Sequence, residues 1–317
     1  MGVAEPVPDV AAVCCICGAP LTPPHHVVGG RAYCDRHYAL VNKPHAGFWR
    51  AGLAQLAGMT LLSLTVAALA SRLGPVGHIT LVAIGLVLAI VPTALWLAFF
   101  YLQDRLEPEP KTKIELVFLV AALLTEAVGL RLIDDWFALS RWATTGSLSS
   151  LLATILIAGV TFQTIAYGAV RAIVYTTPEF DERMDGIVYG TVAGLGVATL
   201  LNLHYVLDNA GVALAPGVIH VTTTALAQAS CGGIMGYFLA EAKFARRPLW
   251  WVPIGVAVAA ALNGLLRWLL AEVSLEGLTV QPWRSLALGL LVAAAIFLVL
   301  VALMRRSTVV TLSRPAR

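Results

Sequence analysis

The sequence predicts an all-α polytopic membrane protein of about eight transmembrane helices, preceded by a small zinc-binding segment. Three observations carry that expectation. Of 317 residues, 59% are hydrophobic and 12% charged, with a mean hydropathy of +0.82, whereas soluble domains carry roughly a quarter charged residues. Apolar runs recur along the chain, each long enough to cross about 30 Å of hydrocarbon at about 1.5 Å per residue. Four of the five cysteines cluster between positions 14 and 34, ahead of the first run. A soluble protein is excluded. So is a nucleic-acid binder, because the formal charge is only +3 and the 21 Lys and Arg are scattered at the ends of apolar runs.

Residues 1–45 form the first expected unit, on the cytoplasmic side. They hold no apolar stretch of signal-peptide length, so the first hydrophobic span is expected to do the targeting. Cys14-Cys15-Ile16-Cys17-Gly18 contains a C-x2-C knuckle, and Cys34-Asp35-Arg36-His37 adds a C-x2-H pair after sixteen intervening residues. Two short-range pairs can each grip one side of a tetrahedral ion, and Gly18 permits the tight turn that aims backbone amides at the thiolates. The expected zinc ligands are Cys14, Cys17, Cys34 and His37. Cys15 is wrongly spaced, and His25 or His26 would replace His37 only if the connecting loop bent inward. Four protein ligands leave no open position for water, so the role is structural.

Residues 46–306 form the expected transmembrane domain, and 307–317 a cytoplasmic tail. Spans begin near Ala51, His78, Ile114, Leu148, Gly186, Pro216, Trp250 and Leu286. With the N-terminus inside, Arg36, Lys43, Arg50, Arg105, Lys111, Lys113, Arg183, Lys243, Arg246, Arg247 and the tail arginines all fall on the cytoplasmic face. The outer loops then keep only Arg72, Arg141 and Arg284, with Arg131 and Arg267 near outer helix ends. Both termini are expected in the cytoplasm of a cell with a bacterial-type plasma membrane. The fifth span carries Gly186, Gly190 and Gly194 in a ladder that allows a neighbouring backbone to come close. Cys231 is read as a small buried residue, and Glu126 as a carboxylate near mid-membrane that needs a partner or a proton.

The stretch Asp104-Arg105-Leu106-Glu107-Pro108-Glu109-Pro110, the pair Phe180-Asp181, and Met184-Asp185-Gly186-Ile187-Val188-Tyr189-Gly190 together resemble the PrsW family of intramembrane proteases. The likeness covers roughly residues 95–240 and extends to His220. It implies a membrane protease fold in which glutamates of an E-E-x-x-K motif activate water. At those positions this chain reads Gln163-Thr164-Ile165-Ala166-Tyr167. The family's E-N-x-x-Y appears as Leu201-Asn202-Leu203-His204-Tyr205, keeping asparagine and tyrosine but not glutamate.

A general base must hold and return a proton, which glutamine, threonine and leucine cannot do. The leading expectation is therefore a pseudoprotease: a PrsW-like scaffold or binding subunit for transmembrane partners in a membrane complex, with a polar cleft near Gln163, Thr164, Tyr167, Asn202 and His220. A second reading is an active protease using Glu126 and His220. A third is a haem- or quinone-associated subunit with His204 and His220 as ligands.

Overall fold

The computed structural model describes residues 13–28, 31–41, 57, 58, 61, 65, 68, 77–103, 110–143, 146–208, 214–245, 247–277 and 282–312. The span expected from Ala51 and the Glu-Pro-Glu-Pro loop lie almost wholly outside these residues.

Ahead of the membrane domain, β1 (His26–Val28) pairs antiparallel with β2 (Arg31–Tyr33) and α1 (Asp35–Val41) follows. The knuckle folds back on this hairpin: the Cys15 amide donates to the Ala32 carbonyl at 3.0 Å, and the Gly18 amide to the Cys14 carbonyl at 2.8 Å. Gly18 has φ +67°, left-handed backbone that glycine adopts at no steric cost.

Among the described residues seven long helices build the rest: α2 (His78–Gln103), α3 (Lys111–Trp136), α5 (Ser147–Ile173), α6 (Arg183–Asp208), α7 (Leu214–Phe244), α8 (Trp251–Gly277) and α9 (Pro282–Leu312). A short α4 (Leu139–Ala143) joins α3 to α5. Their starts lie close to those expected from hydropathy. Five stretches are long and apolar enough to cross a bilayer, those of α3, α5 and α6 with Trp251–Leu269 and Leu291–Val310. α2 adds a shorter apolar stretch, Val82–Leu95. The chain is an integral membrane protein, and five spans rather than the expected eight meet both criteria among the described residues. Aromatic side chains mark the two ends of the bundle, as they do at membrane interfaces. Trp136 and Trp142 are exposed where α3 hands over to α5, and Trp250, beside the exposed Leu249, where α7 hands over to α8.

The core lies around α6. Of its apolar window 78% is buried, against 28–39% in the other four spanning stretches. Such burial needs a partner that comes close, and the glycine ladder supplies it. A Cβ on Gly186, Gly190 or Gly194 would fall within 3.0 Å of the α7 carbonyl of Gly236, Gly232 or Gln228 respectively. The two helices thus run antiparallel in one fixed register. Gly232→Val is expected to destabilise the protein by about 1–3 kcal/mol or more, because its branches would meet the Gly190 backbone. Gly168→Ala has nothing within 4 Å and is expected to stabilise by a few tenths to about 1 kcal/mol through helix propensity. Thermal unfolding of the two variants in detergent separates the effects by sign.

Two helices are wound locally into π turns, α3 over Thr125–Gly129 and Arg131–Trp136, and α5 over Thr154–Gly159. In α5 the looser turn places Gly159 against the Ala260 carbonyl of α8, while Gly264 of α8 meets the Ile155 backbone. In α3 it carries Glu126.

Candidate functional site

The first candidate is the amino-terminal cluster. Ligand atoms of Cys14, Cys17, Cys34 and His37 all lie within 4.8 Å of one another. His37 Nδ1 is 3.1 Å from Cys34 Sγ and 3.6 Å from Cys14 Sγ. Bonds of about 2.3 Å to sulfur and 2.0 Å to nitrogen around a tetrahedral zinc would set such ligands about 3.5–3.8 Å apart, so the residues fit a metal ion. Burial pushes the Cys14 thiol up, but hydrogen bonds from the backbone of Cys34, Cys17 and Ile16 and from the Cys17 side chain outweigh it and lower it to about 6. That favours the thiolate a metal requires. Neither His25 nor His26 joins the cluster. His26 accepts or donates at 3.0 Å with Asp35 and stacks on Tyr38 at 3.8 Å, and Cys15 is outside the cluster.

The second candidate is the membrane region of the motif positions, which the fold divides. Gln163, on α5, is fully buried, and neither end of its amide has a hydrogen-bond partner among the described residues. Thr164 and Tyr167, on the next face of the same helix, line a lateral groove between α5, α7 and α8. Asn202 is buried and donates from Nδ2 to the Val221 carbonyl at 3.0 Å, tying α6 to α7. Tyr205 stacks on His220 with centroids 3.7 Å apart, bracing the same two helices one turn further on. Leu201 is partly buried against the core. Among the described residues these side chains are divided between the buried core, the groove and the α6–α7 contact.

Glu126 pairs not with His220 but with His204, whose Nε2 lies 2.6 Å from the Glu126 carboxylate. The π turn of α3 carries the acid and α6 carries the imidazole. Both side chains remain open to the surroundings, at 54% and 38% exposure. Only Nδ1 of His204 would be left for an iron.

The other face of the bundle holds the Asp-Gly motif. Asp185 Oδ2 accepts the backbone amides of Asp181 and Glu182, both at 2.7 Å, fixing the start of α6 as a capping carboxylate does. Arg183 Nε donates to Glu241 at 2.6 Å, with both side chains more than nine-tenths buried. Lys243 Nζ donates to the carbonyls of Tyr175 and Phe180, clasping the end of α5 and the loop after it. These contacts were not foreseen from sequence, where Arg183 and Lys243 read only as orientation signals. Nor was the buried Gln228–Asn263 pair joining α7 to α8, with Asn263 Nδ2 donating at 2.7 Å. The one available hint was that polar residues inside apolar runs must find partners.

Residues 109–304 match the family described as PrsW family intramembrane metalloprotease. The chain is 28% identical over 191 residues to Protease PrsW of Bacillus subtilis (strain 168), covering 58% of this chain and 82% of that protein. It is 34% identical over 187 residues to Protease PrsW of Geobacillus kaustophilus (strain HTA426), covering 57% and 77%. No solved structure matches.

Proposed function

The chain belongs to the PrsW family, and from that premise we propose that it is an inactive member, acting as a scaffold or binding subunit for transmembrane partners. The carrying observation is Gln163. At a position where the family resemblance calls for a carboxylate stands a fully buried amide with no partner among the described residues, and an amide neither takes up nor returns a proton near neutral pH. Thr164 and Leu201 take the other two glutamate positions. A catalytic zinc takes three protein ligands of the His, Glu, Asp or Cys type. Gln163, Thr164, Asn202 and His220 offer one, an imidazole stacked on Tyr205, so they do not fit such an ion.

Binding is supported by the Glu126–His204 pair. A hydrogen-bonded acid and imidazole left half-open on the flank of membrane helices is costly in hydrocarbon, and a partner helix carrying a polar residue would cover it. A second reading rests on the same 2.6 Å contact: a protease whose acid–base pair has moved to Glu126 and His204. The two separate on one experiment. Purified protein is incubated with transmembrane substrates of PrsW proteases, alongside Glu126→Gln, His204→Ala and a Gln163→Glu/Thr164→Glu/Leu201→Glu variant. No cleavage above background is expected from the wild type. Cleavage that falls about 10²- to 10⁴-fold in Glu126→Gln, the loss typical of a general base, would overturn the inactive reading in favour of the second.

The metal proposed for Cys14, Cys17, Cys34 and His37 is zinc, with a structural role in a cytoplasmic segment spanning residues 1–45. The proposed orientation puts both termini inside, supported by Lys243, Arg247, Arg305 and Arg306 at one set of helix ends. Reporter fusions to either terminus should read as cytoplasmic.

A further inference from the structure

The lateral groove between α5, α7 and α8 encloses about 640 Å³, within the range of about 300–1,000 Å³ typical of small-ligand sites. Its body is apolar, lined by Val160, Leu239, Val252 and Val256. Two arginines, Arg171 and Arg247, also line it, and no carboxylate does so among the described residues. The helix ends fix where the charged part sits. Arg171 belongs to the last turn of α5, and Arg247 lies in the loop between α7 and α8. That loop also carries Leu249, 95% exposed, and Trp250, 57% exposed. A bare leucine beside an exposed tryptophan, next to arginine, belongs at the boundary between headgroups and hydrocarbon. The arginines are therefore at headgroup level, and the apolar body runs inward among the acyl chains.

Among the described residues Arg171 has no ion pair, and Arg247 has only a long one. Arg171 lies 4.3 Å from the Tyr175 ring centroid and Arg247 lies 5.1 Å from that of Trp251. The carboxylate nearest Arg247 is Glu241 at 3.8 Å, which is already held by Arg183 at 2.6 Å. The rings orient both guanidiniums while leaving N–H donors to spare, and a planar fork of donors matches a phosphate in a two-pronged fashion.

We propose that this groove binds an anionic phospholipid of the bilayer, its phosphate between Arg171 and Arg247 and an acyl chain along Leu239, Val252 and Val256. A transmembrane helix suits the groove less well, because two arginines at one end, with a single long ion pair to a carboxylate that Arg183 already holds, ask for an anion that the membrane supplies at high local concentration. Thr164 and Tyr167 share the groove wall, so a bound lipid stands in front of two family motif positions. The proposal is independent of whether the protein cleaves peptides.

The test uses the full chain in nanodiscs of phosphatidylcholine with or without phosphatidylglycerol, extracted gently and weighed intact by native mass spectrometry. Phosphatidylglycerol is expected to be retained over phosphatidylcholine and to raise the unfolding temperature. Arg171→Gln/Arg247→Gln should cut that retention about tenfold or more, the loss of at least one charge-assisted contact. Arg171→Lys/Arg247→Lys should keep part of it, which separates lost charge from lost folding. Val256→Trp fills the apolar body and should also abolish retention while leaving both arginines. Equal retention of the two lipids, or retention unchanged in the double glutamine variant, would overturn the proposal. So would inorganic phosphate competing as well as the lipid, which marks a head-only anion site. Displacement of the lipid by a neutral transmembrane peptide but not by excess phosphatidylglycerol would assign the groove to a helix instead.

Discussion

Protein carrying Cys14→Ser and Cys34→Ser is expected to purify without zinc, whereas metal analysis of the wild type is expected to find one ion per chain. Each serine removes a soft anionic ligand from a different one of the two pairs, so neither half of the site can grip the ion alone. The effect should be large. Metal binding in small segments of this kind is also their folding energy, with apparent values of about 10–16 kcal/mol at pH 7 in zinc-finger peptides. Among its described residues the segment has little else to hold it: two three-residue strands, one seven-residue helix, and Cys14 and Tyr33 as buried apolar residues. Limited proteolysis should cut within residues 13–41 of the variant and spare the membrane helices. Cys15→Ser, outside the cluster, should keep its zinc; if it loses the ion while Cys14→Ser/Cys34→Ser retains it, the ligand assignment falls.

Glu241→Gln is expected to lower stability by about 3–5 kcal/mol, because it strands the Arg183 guanidinium more than nine-tenths buried beside an amide that carries no charge. Arg183 already has one donor, Nη1, without a partner among the described residues, so the site has little reserve. Replacing both residues, as Arg183→Met/Glu241→Leu, should cost far less, since two apolar side chains of similar volume leave no buried charge behind. The double variant also tests what the pair is for. It ties the start of α6 to the end of α7, at the same end of the helix pair as Gly186 and Gly236. Thermal unfolding in detergent gives the ordering: wild type and double variant close together, single variant well below. If the single variant unfolds with the wild type, the pair contributes nothing.

The sequence by itself determined the class of this protein and most of its long-range layout. Hydropathy placed the helix starts because hydrocarbon forces every spanning backbone to satisfy its own hydrogen bonds, so length and apolarity are nearly sufficient signals. The Gly186, Gly190 and Gly194 ladder was legible for the same reason of simple geometry, one helix face repeating every fourth residue. So was the Cys/His cluster, because its members come in two pairs of short sequence separation and each pair is local. The family was legible from Asp185-Gly186 and the sequence around Tyr189.

Tertiary structure alone decided which polar groups meet. Glu126 and His204 stand 78 positions apart, and no periodicity links them; their contact exists because the α3 π turn and α6 come together at that level. Asn263 finds Gln228, and Lys243 finds the end of α5, by the same kind of long-range docking. The motif residues taught the converse. Gln163, Thr164 and Tyr167 are neighbours in sequence, yet α-helical winding turns Gln163 into the core and the other two toward the groove wall. Sequence assigns a residue its chemistry; helix rotation and packing decide whether that chemistry faces a partner, a lipid or nothing at all.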